Sequence, residues 1–177
     1  MAKKEPEGLG VRYSLLLDES YLQKWLEEKE NIRYFPMTIG REVTTSAKNW
    51  IGFAKYNASL TATLDNVPVG IATLFLMPYI KTSHHALFYI LVDQEKRGQG
   101  IGSALIRNIL NLAKNYFHLE SIHAEVFEGS PIISLLQKFQ FTPFATQPHF
   151  VKLEEGQYLS RILLEHVFKK GEAHGRP

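Results

Sequence analysis

From Arg97 to Ser103 the chain reads RGQGIGS, with three glycines in five positions behind an arginine. Gly98, Gly100 and Gly102 let the backbone approach a ligand without Cβ obstruction. The apolar run ALFYILV precedes this segment, and helical spacing follows it. A helix opening on such a loop directs its free N–H groups at an anion, so the chemistry this stretch suits is the binding of a phosphate or pyrophosphate. A Walker-type loop needs lysine after its last glycine, and Ser103 stands there instead. The dinucleotide fingerprint G-x-G-x-x-G fails as well. Its third glycine would come one residue later, and the strands preceding this loop read as antiparallel. What remains is R-x-x-G-x-G, from Arg97 to Gly102, between a buried strand and a helix. A glycine-rich turn without a ligand is the plain alternative.

The elements that must hold this loop follow from periodicity. Leu9–Leu17 reads as a first strand, and Asp18 or Ser20 caps a helix whose Tyr21, Leu22, Trp25 and Leu26 share one face. Pro36 and Gly40 interrupt the next stretch, and a second helix fits Arg41–Tyr56. SLTATL and VGIATLFLM, joined by DNVP, form a hairpin. ALFYILV, apolar on both faces, is a central strand covered on both sides. After the loop, Ile101, Leu105, Ile109, Leu112 and Tyr116 mark a helix with one buried stripe. SIHAEVF is a fifth strand, with Ile122, Ala124 and Val126 alternating against His123, Glu125 and Phe127. Pro131 opens a short helix, IISLLQKF, and a last hairpin turns near Glu154 to Gly156. Short turns make the second to fourth strands antiparallel, and the helix between the fourth and fifth makes that pair parallel. The expected architecture is α/β (α+β): a mixed, mostly antiparallel sheet of about seven strands flanked by about four helices. It occupies one domain over residues 1–177, with a core from about 11 to 168 and frayed ends at 1–8 and 169–177.

Composition narrows the function. At 177 residues with 45% hydrophobic content the chain supports one well-buried core. Its net charge is only +2, and no basic stripe interleaved with aromatics points to nucleic acid. The absence of cysteine excludes disulfides, thiolate metal sites and a cysteine nucleophile. The polar start MAKKEPEGLG lacks a signal-peptide core, and the most apolar window, Gly70 to Ile80, is too short for a membrane span and contains Pro78. A cytoplasmic protein without membrane attachment is the reading. His84 and His85 are neighbours on a strand and point to opposite faces, so no metal is expected.

FYILVDQEKRGQGIGSALI and HAEVFEGSPIISLLQKFQF together resemble the GNAT superfamily of acyl-CoA-dependent N-acyltransferases, over about Val11 to Phe168. The first segment is similar to the family's fourth strand, pyrophosphate loop and third helix, and the second to its fifth strand and fourth helix. The resemblance implies acetyl-CoA as co-substrate. Its pyrophosphate would sit on the backbone of Arg97, Gly98, Gln99, Gly100, Ile101, Gly102 and Ser103. Its pantetheine arm would pair with Ile90, Leu91 and Val92, and the thioester would lie where the parallel fourth and fifth strands splay apart. Ser130 replaces the family's common asparagine and keeps a hydroxyl for the cofactor. The acceptor is an amine-bearing small molecule or protein, in a pocket shaped by the loop carrying Tyr34 and Phe35 and by the last hairpin. Those aromatics line a pocket or belong to the core; both readings stand.

Acetyl transfer needs a neutral amine, stabilisation of the oxyanion and a proton for the leaving thiolate. Glu125, opposite the apolar face of the fifth strand, matches the family's base; a solvated or salt-bridged strand glutamate is the alternative. Glu128 is a second choice, and His123 shares Glu125's face. The resemblance assigns the oxyanion to the N–H of Leu91 or Val92. Where the family carries a tyrosine near the thiol, this chain has Leu136, so Tyr158 or water must supply that proton. The rival readings are a catalytically weak acyl-CoA-binding module, suggested by Leu136, and a nucleotide-dependent oxidoreductase resting on the glycines alone. An exposed final strand leaves monomer and homodimer both open.

Overall fold

A computed structural model describes residues 6–38, 40–153 and 156–168. Seven strands form one sheet: β1 (Leu9–Tyr13), β2 (Ser59–Leu64), β3 (Val67–Leu76), β4 (His85–Val92), β5 (Ser121–Phe127), β6 (Thr142–Lys152) and β7 (Tyr158–Val167). Their spatial order is β1-β2-β3-β4-β5-β7-β6. The helices are α1 (Glu19–Glu27), α2 (Lys29–Ile32), α3 (Arg41–Gly52), α4 (Ile101–Asn115) and α5 (Ile132–Lys138). Only β4 and β5 run parallel, joined through α4; every other neighbouring pair is antiparallel. The mixed sheet expected from connection lengths is the one formed.

Two apolar layers sandwich the centre of the sheet. Phe88, Ile122, Ala124 and Val126 pack against the buried stripe of α4, including Ile101, Leu105 and Ile109, and against Leu136 of α5. On the opposite face Ile71 and Leu91 meet Leu22, Trp25 and Leu26 of α1 and Val43, Trp50 and Ile51 of α3. This is why β4 carries an apolar residue at nearly every position. The β2–β3 turn places Asp65 and Asn66 at φ 48° and 68°, the left-handed pair that a tight two-residue hairpin requires. At the far edge, β6 lies exposed along almost its whole length.

Several boundaries differ from the periodicity. The first strand stops at Tyr13 rather than Leu17, because the chain turns through a 3-10 segment at Leu16–Asp18. Asp18 does not cap the next helix. Its buried carboxylate accepts bonds from Arg12, from the Leu15 N–H and from Thr61 Oγ1 at 2.8–2.9 Å. Tyr21 stands outside the buried face of α1. The first helix also breaks at Glu28, whose ψ of 130° separates α1 from α2. The second helix ends at Gly52, with Phe53–Tyr56 continuing as a 3-10 turn that closes on left-handed Asn57. Of the segments expected to fray, 1–5 and 169–177 lie outside the described residues, as do residues 154 and 155 of the final turn. Pro6 and Gly8 each accept a backbone bond, from Leu9 and Asp65. Among the described residues no helix is long and apolar enough to cross a membrane.

Candidate active site

Cross-strand pairing between β4 and β5 runs from His85↔Ser121 to Phe88↔Ala124 and stops there. Beyond it β4 continues through Tyr89–Val92 on β3, and β5 continues through Glu125–Phe127 on β7. The sheet thus opens into a V, and a cavity of about 290 Å³ fills it. Ile90, Leu91 and Val92 line one arm and Glu125 the other; Arg97, Gly98, Ile101, Gly102 and Ser130 close its end, and Tyr34 and Phe35 form its lip. Gln99, Gly100 and Ser103 belong to the same loop and helix start but are not among the lining residues.

Backbone direction along β4 decides which groups face the gap. The Asp93 N–H donates to Val69 O, and the β3–β4 register is continuous. Antiparallel alternation then turns Leu91 toward β3 and leaves the N–H and C=O of Ile90 and Val92 directed into the V. Of the two residues expected to meet an oxyanion, Leu91 therefore has its N–H committed to the sheet. The Val92 C=O accepts from Arg97, and the other inward groups, without a sheet partner at the rim of a cavity, call for a ligand with amide-like donors and acceptors.

The glycine loop is built from three different uses of glycine. Gly98 and Gly100 hold φ of 75° and 91°, the left-handed region that disfavours a side chain. Gly100 ends the loop as the N-terminal boundary of α4, and Ala104 N–H is the first to bond back, to Gly100 O at 3.0 Å. Gly102 is helical, and a Cβ there would meet Leu135 Cδ2 at 2.9 Å, so its smallness admits α5. Arg97 Nε donates to Val92 O at 3.3 Å, and its terminal nitrogen bonds Asn31 Oδ1. Asn31 is buried and donates in turn to Trp25 O and to Glu28 Oε2. Burial, then the charge of Asp93, holds the Glu28 carboxyl above the ordinary carboxylate range.

Glu125 projects from β5 at the mouth of the V. Its Oε2 accepts from Arg161 of β7 at 2.8 Å and its Oε1 from the Tyr89 hydroxyl at 3.2 Å. The carboxylate is thus both ion-paired and cavity-lining. Tyr89 is clamped flat on Trp50, with ring centroids 5.3 Å apart, and edge-on to Phe75. Burial, then the charge of Glu125, pushes its phenol well above the ordinary tyrosine value, so the hydroxyl keeps its proton. Arg161 also donates to Gln147 Oε1 at 2.7 Å and lies over the Phe150 ring at 3.9 Å.

Other expected residues fall elsewhere. Tyr158 starts β7, half exposed beside His149 with ring centroids 5.3 Å apart, and is not among the cavity-lining residues. The hairpin places Tyr158 three residues before Arg161, the β7 residue that pairs with the end of β5 at Phe127. Glu128 is tied to Ser160 N–H and Oγ, and His123 pairs with Glu165 rather than with Glu125. Leu136 is core, 1% exposed, although it touches the cavity wall. Phe35 serves both readings made of it, lining the cavity while its edge meets Trp50 at 5.8 Å. His84 precedes β4, and its ring lies 5.0 Å from that of His85, so strand alternation does not separate the two. No group of three or more His, Asp or Glu among the described residues is arranged to hold a metal ion. Tyr89, Arg161 and Asn31 were missed from sequence, since each is defined by a partner from 36 to 66 positions away.

A sequence model of the acetyltransferase (GNAT) family matches residues 18–141. The L-amino acid N-acetyltransferase AaaT of Escherichia coli K12 is 28% identical over 109 residues, which cover 61% of this chain and 67% of that protein. Among solved structures, a GCN5-related N-acetyltransferase from Kribbella flavida superposes with a TM-score of 0.77 at 18% identity, covering 93% of this chain and all of its own. The yncA protein of Salmonella typhimurium, with its cofactor acetyl-CoA, superposes with a TM-score of 0.75 at 13% identity, covering 94% of this chain and 98% of its own.

Proposed function

The chain belongs to the acetyltransferase (GNAT) family, and from that premise we propose that it moves the acetyl group of acetyl-CoA to the primary amine of a small acceptor by direct attack in a ternary complex. The observation that carries this reading is the opening of β4 from β5 beside the glycine loop. The acceptor class in the name of AaaT, an L-amino acid, supports a small acceptor.

Acetyl-CoA supplies the activated acyl group, and this chain supplies its seat. The N–H groups of Ile101, Gly102 and Ser103 precede the first intrahelical donor, Ala104 N–H, so they are available to a pyrophosphate together with the positive end of α4. The open space in front of Gly100 leaves room for it. Ile90 offers its inward N–H and C=O, and Val92 its N–H, to the amides of the pantetheine arm, as a strand edge does to an added strand. The Val92 or Ile90 N–H then faces a developing oxyanion.

On the acceptor side Glu125 receives the ammonium and takes its proton, directly or through water. Each carboxylate oxygen keeps a lone pair beyond its bond to Arg161 or Tyr89. The amine nitrogen bonds to the acyl carbon, the C–S bond breaks, and the second proton shed by the nitrogen passes through water to the thiolate. The assay is release of free thiol from acetyl-CoA offered to a panel of amines, with the acetylated product identified by mass. Turnover with at least one amine supports the reading. The buried Leu136, which has no hydroxyl, favours one rival: binding of acetyl-CoA without thiol release would establish an acyl-CoA-binding module instead.

A further inference from the structure

Resting on that reading, we infer that Arg161 anchors the carboxylate of a zwitterionic acceptor, so that Glu125 and Arg161 together select α-amino acids over simple amines. Glu125 lines the cavity, and Arg161 stands 2.8 Å from it on β7, next to the lining residues rather than among them; the two are 16% and 26% exposed. They present a negative and a positive group side by side. An α-amino acid presents the same two charges in the opposite sense on one carbon atom. Its ammonium meets Glu125 while its carboxylate meets Arg161. A simple amine satisfies only half of the pair.

The setting of Arg161 is more elaborate than neutralising Glu125 requires. Its guanidinium lies over Phe150 and is held from the side by Gln147. Between the pairs Gln147↔Arg161 and Val151↔Leu159 the β6 strand makes a detour, with His149 at φ 55°. That detour puts Gln147 and Phe150 on the same guanidinium. The result is a flat fork fixed in orientation before any ligand arrives, which is what carboxylate recognition uses. Glu125 and Gln147 each engage one N–H of a terminal nitrogen, and a guanidinium has five. Nε is buried without a partner among the described residues. Arg161 also stands outside residues 18–141, in the part of the chain the family match does not reach. The inference therefore concerns acceptor choice, separately from the cofactor loop.

The test compares kcat/KM for the protein L-amino acids, each beside its own carboxamide, by thiol release from acetyl-CoA. For the best acceptor the free acid is expected to exceed the amide by about tenfold to a hundredfold, carried mainly by KM. In Arg161→Gln that ratio falls to about one, and Arg161→Lys restores part of it, whatever loss both substrates share. Acetyl-CoA binding by each variant is the check on folding, and the wild-type ratio decides the matter if a variant fails to fold. An amide used as well as its acid, or a ratio that survives Arg161→Gln, overturns the inference. Turnover confined to amines without a carboxylate overturns it while leaving the transferase reading intact; no thiol release with any amine overturns both.

Discussion

Tyr89 and Glu125 stand on opposite arms of the split between β4 and β5, and the phenol donates across the opening to Glu125 Oε1 at 3.2 Å. They occupy the first position of each strand beyond the last pair, Phe88↔Ala124. The bond therefore spans the place where backbone pairing ends, and Trp50 holds the donor ring in place.

Tyr89→Phe keeps the ring packing and deletes that donor. A hydrogen bond of this kind contributes about 0.5–1.5 kcal/mol, so kcat is expected to fall by roughly threefold to tenfold through loss of Glu125 orientation. Steady-state kinetics with the best amine, beside calorimetry with acetyl-CoA, separates this from a defect in cofactor binding. Equal kcat in variant and wild type would deny Tyr89 a positioning role.

Glu125→Gln retains the shape and removes the proton acceptor. Turnover is expected to drop by about a hundredfold or more, the scale of general base catalysis, while acetyl-CoA affinity stays within about twofold because the loop is untouched. A pH–rate profile of the variant matching wild type would remove Glu125 from the chemistry.

Gly100 and Gly102 separate by mechanism. At Gly100 the surrounding space is open but φ is 91°, so Gly100→Asp introduces both backbone strain and a negative charge at the helix start. Acetyl-CoA affinity is expected to fall by about a hundredfold or more. Gly102→Ala meets only the end of the Leu135 side chain, so a stability change below about 2 kcal/mol with retained binding is expected. Calorimetric titration and thermal unfolding of both variants check the contrast.

Asp18 links β1, β2 and the start of α1. Burial raises its pKa, but the bonds from Arg12, Leu15 and Thr61 together outweigh that and leave it below the ordinary value of 3.8. A depressed folded pKa contributes stability that is present above 3.8 and lost as pH falls through the folded value. Denaturant unfolding between about pH 6 and pH 2 should show this acid loss. Asp18→Asn should flatten it, at a cost of about 1–3 kcal/mol near neutrality.

What the sequence discloses here is what local chemistry encodes. Gly98 and Gly100 are legible because a left-handed backbone needs glycine wherever the chain goes next. The two-faced apolar run of β4 announces its central place. Leu15, Leu16 and Leu17 mislead in the same terms: they are apolar yet at least half exposed, because Asp18 turns the chain before the strand can continue. The break at Glu28 carries no proline or glycine to mark it. Arg161 reaches Glu125 from 36 positions away, and Arg97 reaches Asn31 from 66. Pairings of that range are made by sheet order, which residue types alone do not specify. Tyr158 shows the converse, a suitable hydroxyl that the last hairpin leaves outside the cavity-lining residues.

Hydrogen exchange with and without saturating acetyl-CoA tests the central claim most directly, because the seat is made of backbone N–H groups. Slowed exchange is expected at Ile90 and Val92 and from Gly98 to Ser103, with Leu91 changing less because its N–H already serves β3. Unchanged exchange at Ile90, Val92 and the glycine loop, with protection appearing elsewhere, would contradict the account.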